Sequence, residues 1–241
     1  MRLFERLHFL HRRLRYAYRT EPDTICFIRD FVDRGDRVLD IGANKGIVTW
    51  FLARATGPQG EVLAFEPQPE LAPALEDIKR TYGLSQVEIV QAGLADAPGV
   101  LPLFRERAGA TGTLVEAGKA ARSSIEIELV RLDDFLGERA GAPPVRFVKC
   151  DVDGFERQVF AGATRLLSTD RPLLLIEIGE DDLSGMRELL ADFGYRDFWF
   201  YFKGSLLHGA KTEDVGYRHA NARYRNFLFV HDLDPRKSRL A

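Results

Sequence analysis

Apolar positions along this chain alternate between two rhythms. Short runs rich in β-branched and other apolar residues predict strands near 37–41, 61–66, 87–91, 146–151, 173–179, 196–202 and 226–231. Between them, apolar residues recurring at three- and four-residue steps predict helices near 45–55, 70–82, 133–139, 156–168 and 183–193. Such alternation describes an α/β fold, with a seven-stranded, mostly parallel sheet and helices on both faces. Two stretches depart from it. Residues 100–104 and 125–132, between the third and fourth principal strands, predict an extra hairpin around a Gly/Ala/Thr-rich segment at 108–113. At the far end, residues 197–202 and 226–231 succeed one another with no strong helix between them. That predicts an antiparallel terminal strand added at the sheet edge.

Residues 1–35 form a separate helical segment ahead of the α/β domain at 36–241. Leu3, Leu7, Leu10, Leu14 and Tyr18 fall at helical spacing, and Arg2, Arg6, Arg12, Arg13, Arg15 and Arg19 cover the other faces. One reading docks this helix on the domain by its leucine stripe and leaves the arginines in water. The other gives it a membrane surface or an anionic substrate to contact. Glu21-Pro22-Asp23-Thr24 then predicts a helix start, with Thr24 as N-cap of a short helix over 25–34.

Composition narrows the classes. A chain of 241 residues, 45% hydrophobic, is long enough for one globular domain with its own core. A net charge of −2 provides no global field for nucleic acid or anionic lipid, so no nucleic-acid partner is expected. Cys26 and Cys150 lie far apart and outside any metal-type spacing, which reads as buried free thiols in a cytoplasmic protein. No apolar run approaches the ~20 residues that span a bilayer. Oligomeric state leaves no sequence signal.

The densest chemistry lies in Arg37-Val38-Leu39-Asp40-Ile41-Gly42-Ala43-Asn44-Lys45-Gly46, answered by Val62-Leu63-Ala64-Phe65-Glu66-Pro67. A strand, a glycine-bearing turn, a helix start and a second strand ending in a carboxylate hold an adenosine-containing cofactor. Gly42 and Gly46 tolerate positive φ and remove side chains that would block a ligand. Glu66 comes 24 residues after Gly42, close to the ~20-residue offset at which a carboxylate takes ribose hydroxyls. Asn44 stands where a dinucleotide fingerprint has its second glycine, which argues against NAD or FAD and for a cofactor without a diphosphate. S-adenosylmethionine fits, with Asp40 placed for its amino group and the N–H groups of the helix start for its carboxylate. Ala43 and Pro67 complete the two cofactor-binding segments. Asp96 is placed either to accept from the adenine amino group or to form a turn before Pro98.

These blocks resemble a known family. VLDIGANKGIVTWFLA, FEPQPE, VRLDDFL, FVKCDVDGFE and LLLIEIGE, in that order, are similar to the FkbM-type methyltransferases. The resemblance covers roughly residues 30–180, with a weaker echo at Asn226-Phe227-Leu228-Phe229. It implies the class I methyltransferase arrangement of the sheet, S-adenosylmethionine as donor, and transfer to a hydroxyl oxygen on a sugar, glycan or natural product. By position it makes Asp40, Gly42, Asn44, Gly46 and Glu66 cofactor residues and Thr49 a matching hydroxyl. Asp153 departs from the pattern, since the family usually has Glu there.

For the catalytic end, Asp151 is the first candidate, as general base or acceptor anchor, with Lys149 on the same side of the strand by period two. The alternatives for Asp151 are to hold the cofactor's methionine end or to cap the following helix. Asp153 and Glu177 sit at the same sheet edge. Glu177 is read either as an acceptor-binding carboxylate or as a partner for an arginine such as Arg171. His208 and His219 are further candidate bases, and Trp199, Tyr201, Tyr217 and Tyr224 a candidate aromatic wall. Asp151 and Asp153 lack a third ligand, so no metal is assigned. A nucleic-acid methyltransferase lacks its Asn/Asp-Pro-Pro-Tyr/Phe block here, and a non-catalytic cofactor-binding scaffold remains the other reading.

Overall fold

The computed structural model describes residues 3–105, 112–113, 123–139, 141–179, 182–202, 205–209 and 224–240. In chain order the strands are β1 (Arg37–Ile41), β2 (Glu61–Phe65), β3 (Val87–Val90), β4 (Gly93–Ala95), β5 (Gly99–Arg105), β6 (Gly112–Thr113) and β7 (Ser123–Arg131). They continue as β8 (Val145–Cys150), β9 (Leu173–Gly179), β10 (Asp197–Phe202), β11 (Ser205–His208) and β12 (Tyr224–Val230). The helices are α1 (Leu3–Arg15), α2 (Pro22–Phe31), α3 (Ile47–Thr56), α4 (Ala72–Tyr82), α5 (Leu132–Gly137), α6 (Glu156–Ala161), α7 (Thr164–Thr169) and α8 (Leu183–Ala191).

The main sheet has eight strands in the order β11-β10-β12-β9-β8-β1-β2-β3. β3, β2, β1, β8 and β9 are parallel neighbours, and β12 runs antiparallel between β9 and β10. Sequence placed the antiparallel addition at the edge; instead the last strand is interior. Phe227, Leu228, Phe229 and Val230 are all fully buried, so both faces of β12 are apolar, as an interior strand requires. The edge goes to β11, a short strand that had no counterpart in the pattern and brings the count from seven to eight. β5 and β7 form the expected hairpin and join β4 and β6 in a separate four-stranded sheet. Most of the segment at 108–113 lies outside the described residues.

One apolar core lies on each face of the main sheet. Leu39, Ile41, Phe65, Val148, Ile176 and Phe227 meet α6, α7 and α8 on one side. Val38, Val62, Phe147, Leu175 and Leu228 meet α2 and α3 on the other. The single helix predicted over 156–168 is broken between α6 and α7. A Cβ at Gly162 would overlap the Ala95 carbonyl oxygen of β4, so the break lets the two sheets approach. Asp133 of α5 caps the new helix start, accepting from Arg165 N–H at 2.7 Å and Leu166 N–H at 3.0 Å.

The N-terminal segment differs most from expectation. α2 starts at Pro22, where the missing N–H costs nothing. Thr24 therefore lies inside the first turn and is not the N-cap; its hydroxyl donates to Glu21 Oε2 at 3.1 Å. α1 docks, but not by its leucines: Leu7, Leu10, Leu14 and Tyr18 are 56%, 40%, 51% and 77% exposed. The docked face carries Phe9, Arg13 and Tyr16, about half a turn away at roughly 100° per residue. Phe9 packs on Tyr82 with ring centroids 5.3 Å apart, and the Arg13 guanidinium lies 3.9 Å over the Trp50 ring. A π-turn over Tyr16–Thr20 then leads the chain toward α2. Accordingly, Phe9→Ala exposes the arginines of α1 to trypsin at least tenfold faster than wild type, whereas Leu10→Ala leaves the cleavage rate unchanged. Equal effects of the two substitutions contradict this docking.

Candidate active site

The parallel strands deliver their carboxyl ends to one edge, where the outgoing turns wall a cavity of about 260 Å³. β1 leaves the sheet through Gly42, Asn44 and Gly46, with φ of 80°, 47° and 72°. All three are left-handed, a region that glycine enters freely and Asn more readily than most residues. The sequence reading gave the two glycines to ligand approach. Their packing adds a second reason, and Gly42 also lines the cavity. A Cβ at Gly42 would overlap the Asp151 carbonyl oxygen, and one at Gly46 would stand 2.7 Å from Leu75 Cδ2. The glycines let the turn nest against the end of β8 and against α4.

Glu66 ends β2 on the cavity wall, 4% exposed, with Pro67 and Gln68 beside it. Its carboxylate accepts from Asn44 N–H at 2.8 Å and from Gln68 N–H at 2.9 Å. Those bonds tie it to the β1 turn and leave it facing the cavity. Burial raises its pKa above the usual carboxylate range, against the two backbone bonds, which lower it. Ala92, Gly93 and Leu94 close this end of the cavity. Asp96, read either as an adenine partner or as a turn former before Pro98, is exposed, in a bend and outside the lining.

Asp40 and Thr49 lie beneath the cavity rather than on its surface. Asp40 is fully buried and accepts from the Thr49 hydroxyl at 2.6 Å, while its Oδ1 has no partner among the described residues. Asp40 pairs in register with Lys149 on the adjacent strand β8. Its charge acts on Lys149 and also on Glu66 and Glu21.

Glu66 and Glu177 mark opposite ends of the cavity. They sit on β2 and β9, three strand spacings or roughly 14 Å apart across the sheet. Asp151, Asp153 and Glu177 all line the far end, at the sheet edge where strand direction put them. Lys149, 2% exposed, donates to Asp151 Oδ2 at 3.0 Å and orients it. Asp153 has φ of 51°, and Gly154 beside it 92°, so the loop after β8 curls back over the sheet edge. Glu156 pins that loop by accepting from Val152 N–H at 3.1 Å and Gly154 N–H at 3.2 Å. This positioning role was missed in sequence, although Glu156 closes the quoted FVKCDVDGFE block.

The N-terminal helices were expected to shape the acceptor pocket, but the residues of the roof were not singled out in sequence. Arg12, Tyr16 and Glu21 line the cavity from the N-terminal segment. Their only signal is position: Arg12 and Tyr16 share the face of α1 opposite the leucines. Conversely, His208 sits on the edge strand β11 with Nε2 3.0 Å from Asp197 Oδ1, away from the cavity lining. Trp199 packs on His208 and Tyr201 on Phe27, so these rings make no aromatic wall for a ligand. Arg171 Nε donates to the Ser168 carbonyl, which leaves Glu177 to the cavity. His219 and Tyr217 lie outside the described residues, as does the Tyr224 side chain.

The charges at the far end do not balance. Glu21, Asp151, Asp153 and Glu177 face the Lys149 ammonium and the Arg12 guanidinium, with Asp40 below. Burial and then the neighbouring Asp151 push Asp153 up to about 6. Burial, then Asp151 and Glu21, push Glu177 up to about 8. Glu21 is raised mainly by burial. Burial alone would lower Lys149, but Asp151, Asp40 and Glu21 overcome it and keep it protonated. Carboxyl groups crowded in this way favour a cationic ligand, whose charge would offset the repulsion that raises them, and disfavour a diphosphate.

This sheet order and the cavity at its carboxyl edge define a class I, Rossmann-like methyltransferase domain. The chain matches the methyltransferase FkbM domain over residues 40–196 and belongs to that family. Methyltransferase 1 of Beauveria bassiana (strain ARSEF 2860) is 28% identical over 144 residues, 52% of this chain and 57% of the relative. The crystal structure of methyltransferase FkbM from Methylobacillus flagellatus KT superposes with a TM-score of 0.54 at 16% identity, covering 81% of this chain and 43% of that one. A putative rRNA-methylase from Clostridium thermocellum gives 0.52 at 14% identity, covering 86% and 93%. At these identities the structural likeness is one of fold. The chain spans little more than half the length of the curated relative and less than half that of the FkbM structure.

The methyl donor of this class is S-adenosylmethionine, and the residues present fit it. Glu66 is fixed at the wall where a ribose diol would donate, and the unpartnered Oδ1 of Asp40 adds negative potential below the β1 turn. The carboxylates at the far end complement a sulfonium and an ammonium.

Proposed function

We propose that this domain methylates a hydroxyl oxygen on a sugar, glycan or natural-product acceptor. The observation that carries the reading is the placement of Asp151, Asp153 and Glu177 in the same cavity as Glu66, at its opposite end. Bound S-adenosylmethionine supplies an activated methyl group on a cationic sulfur. The protein's own task is to align an acceptor oxygen with it and to remove that oxygen's proton.

Asp151, already paired with Lys149, is held in one orientation and serves as the anchor for an acceptor hydroxyl. Glu177 is the better base, because a carboxylate raised to about 8 holds a proton more strongly than an ordinary one. Carboxylates also suit adjacent hydroxyls, which donate in pairs to their two oxygens. The same groups repel a phosphate backbone, which disfavours nucleic acid as the acceptor.

The test is a methyl-transfer screen with labelled S-adenosylmethionine over hydroxyl acceptors (free sugars, oligosaccharides, polyketide and peptide products) and over RNA. Transfer to a hydroxyl compound, reduced at least tenfold by Asp151→Asn, supports the reading. Transfer to RNA alone, unaffected by that substitution, overturns it.

A further inference from the structure

The two faces of α1 serve different ends. Phe9 and Arg13 hold it to the domain, and Arg12 and Tyr16 roof the cavity. The opposite face is apolar yet open to solvent, with Leu7 56%, Leu10 40%, Leu14 51% and Tyr18 77% exposed. The other large hydrophobics exposed among the described residues are Val100, Leu101 and Leu233, so most of them are gathered on α1 and the π-turn that continues it. The charge beside it has one sign. Of the four arginines from Leu7 to Thr20, Arg12 and Arg13 turn to the domain while Arg15 and Arg19 stay exposed; the stretch contains no Asp or Glu, in a chain whose net charge is −2. Arg15 and Arg19, one turn apart, border a shallow groove with Leu14 and Tyr18.

We propose that this outward face is a docking surface for an anionic phospholipid bilayer. Exposed leucines flanked by arginines are what an interfacial helix needs: the apolar stripe enters the acyl boundary while the guanidinium groups meet lipid phosphates. Tyr18, with an apolar ring and a polar tip, suits the headgroup level. Among the described residues no helix is long and apolar enough to cross a membrane, so α1 lies in the interface plane. The two faces are independent in composition, so docking does not require Arg12 or Tyr16 to leave the cavity. The proposal holds whatever hydroxyl the enzyme methylates.

The test is flotation of the full chain with phosphatidylcholine vesicles, with and without phosphatidylglycerol, at low and high salt. Wild type is expected to bind the anionic vesicles at least tenfold more tightly than the neutral ones, and less tightly as salt rises. Leu10→Glu/Leu14→Glu and Arg15→Glu/Arg19→Glu should each lose at least tenfold in affinity while keeping wild-type melting. The arginine pair is exposed, so that variant stays informative if the leucine pair fails to fold. No binding to anionic vesicles at low salt, or wild-type affinity retained by both variants, overturns the proposal. Self-association without lipid, abolished by the leucine substitutions, also overturns it and gives the face to a second copy of the chain.

Discussion

Glu177→Gln lowers kcat by about 10²-fold or more and removes the alkaline rise of the pH profile. In wild type the base must be deprotonated, so the rate climbs as pH passes upward through about 8, the value to which burial and then Asp151 and Glu21 raise Glu177. Glutamine keeps the shape and can donate or accept, but cannot take a proton, so the variant's residual rate is flat across that range. Stability moves the other way. A carboxyl group raised on folding contributes stability that is fully present below its unfolded pKa and is lost as pH rises through the folded value. Between about 4.5 and 8 the folded chain holds a proton that the unfolded chain has released. Glu177→Gln therefore melts higher than wild type at pH 9, by roughly 5 °C for an effect of about 2 kcal/mol, and no higher at pH 4. A variant with wild-type kcat and an intact alkaline limb would exclude Glu177 as the base and return that role to Asp151.

Gly42→Ala costs about 3 kcal/mol or more, enough to lower Tm by roughly 6–12 °C in a chain of this size, and abolishes donor binding at micromolar concentration. Two effects add. The backbone at φ of 80° is strained for any residue with a Cβ, and that Cβ would overlap the Asp151 carbonyl oxygen. Gly35→Ala separates them. Gly35 has φ of 87° and nothing within 4 Å of the added carbon, so it measures backbone strain alone, about 1–2 kcal/mol. The excess at Gly42 is the contact between the β1 turn and the end of β8. Because that contact positions Asp151, the loss should appear in acceptor-dependent turnover as well as in donor binding. Equal costs at the two glycines would show that the turn does not rest on Asp151.

What was legible in the sequence, and what was not, divides by the range of the interactions. The β1 turn could be read because its signals are local. Two glycines and an asparagine are residues that a left-handed backbone accepts, and a carboxylate ending the next strand must face the same edge in any right-handed crossover. Asp151 and Glu177 followed from strand period and direction alone. The division of α6 from α7 could not be read, because it depends on the approach of Ala95, far away in sequence, to Gly162. The interior position of β12 was in principle visible: four consecutive buried apolar residues, with no polar alternation, already exclude an edge. The orientation of α1 was hidden by a competing signal. Its leucines make the stronger periodic stripe, yet Trp50 and Tyr82 offer a surface on which Phe9 and an arginine pack better. That single inversion moved Arg12 and Tyr16 into the cavity and left the leucines outside it.

The most direct measurement is calorimetric titration of wild type and Glu66→Gln with S-adenosylmethionine, S-adenosylhomocysteine and NAD. The account predicts micromolar binding of the first two and none of NAD. The sulfonium form should bind more tightly than the neutral homocysteine form, because the carboxylates of the far end favour positive charge. Glu66→Gln should weaken both by at least tenfold, since an amide oxygen accepts from Asn44 N–H less strongly than the carboxylate, its NH2 faces the Gln68 N–H, and it receives the ribose hydroxyls less well. Binding of NAD in preference to both, or S-adenosylmethionine binding indifferent to Glu66, would contradict the placement of the donor in this cavity.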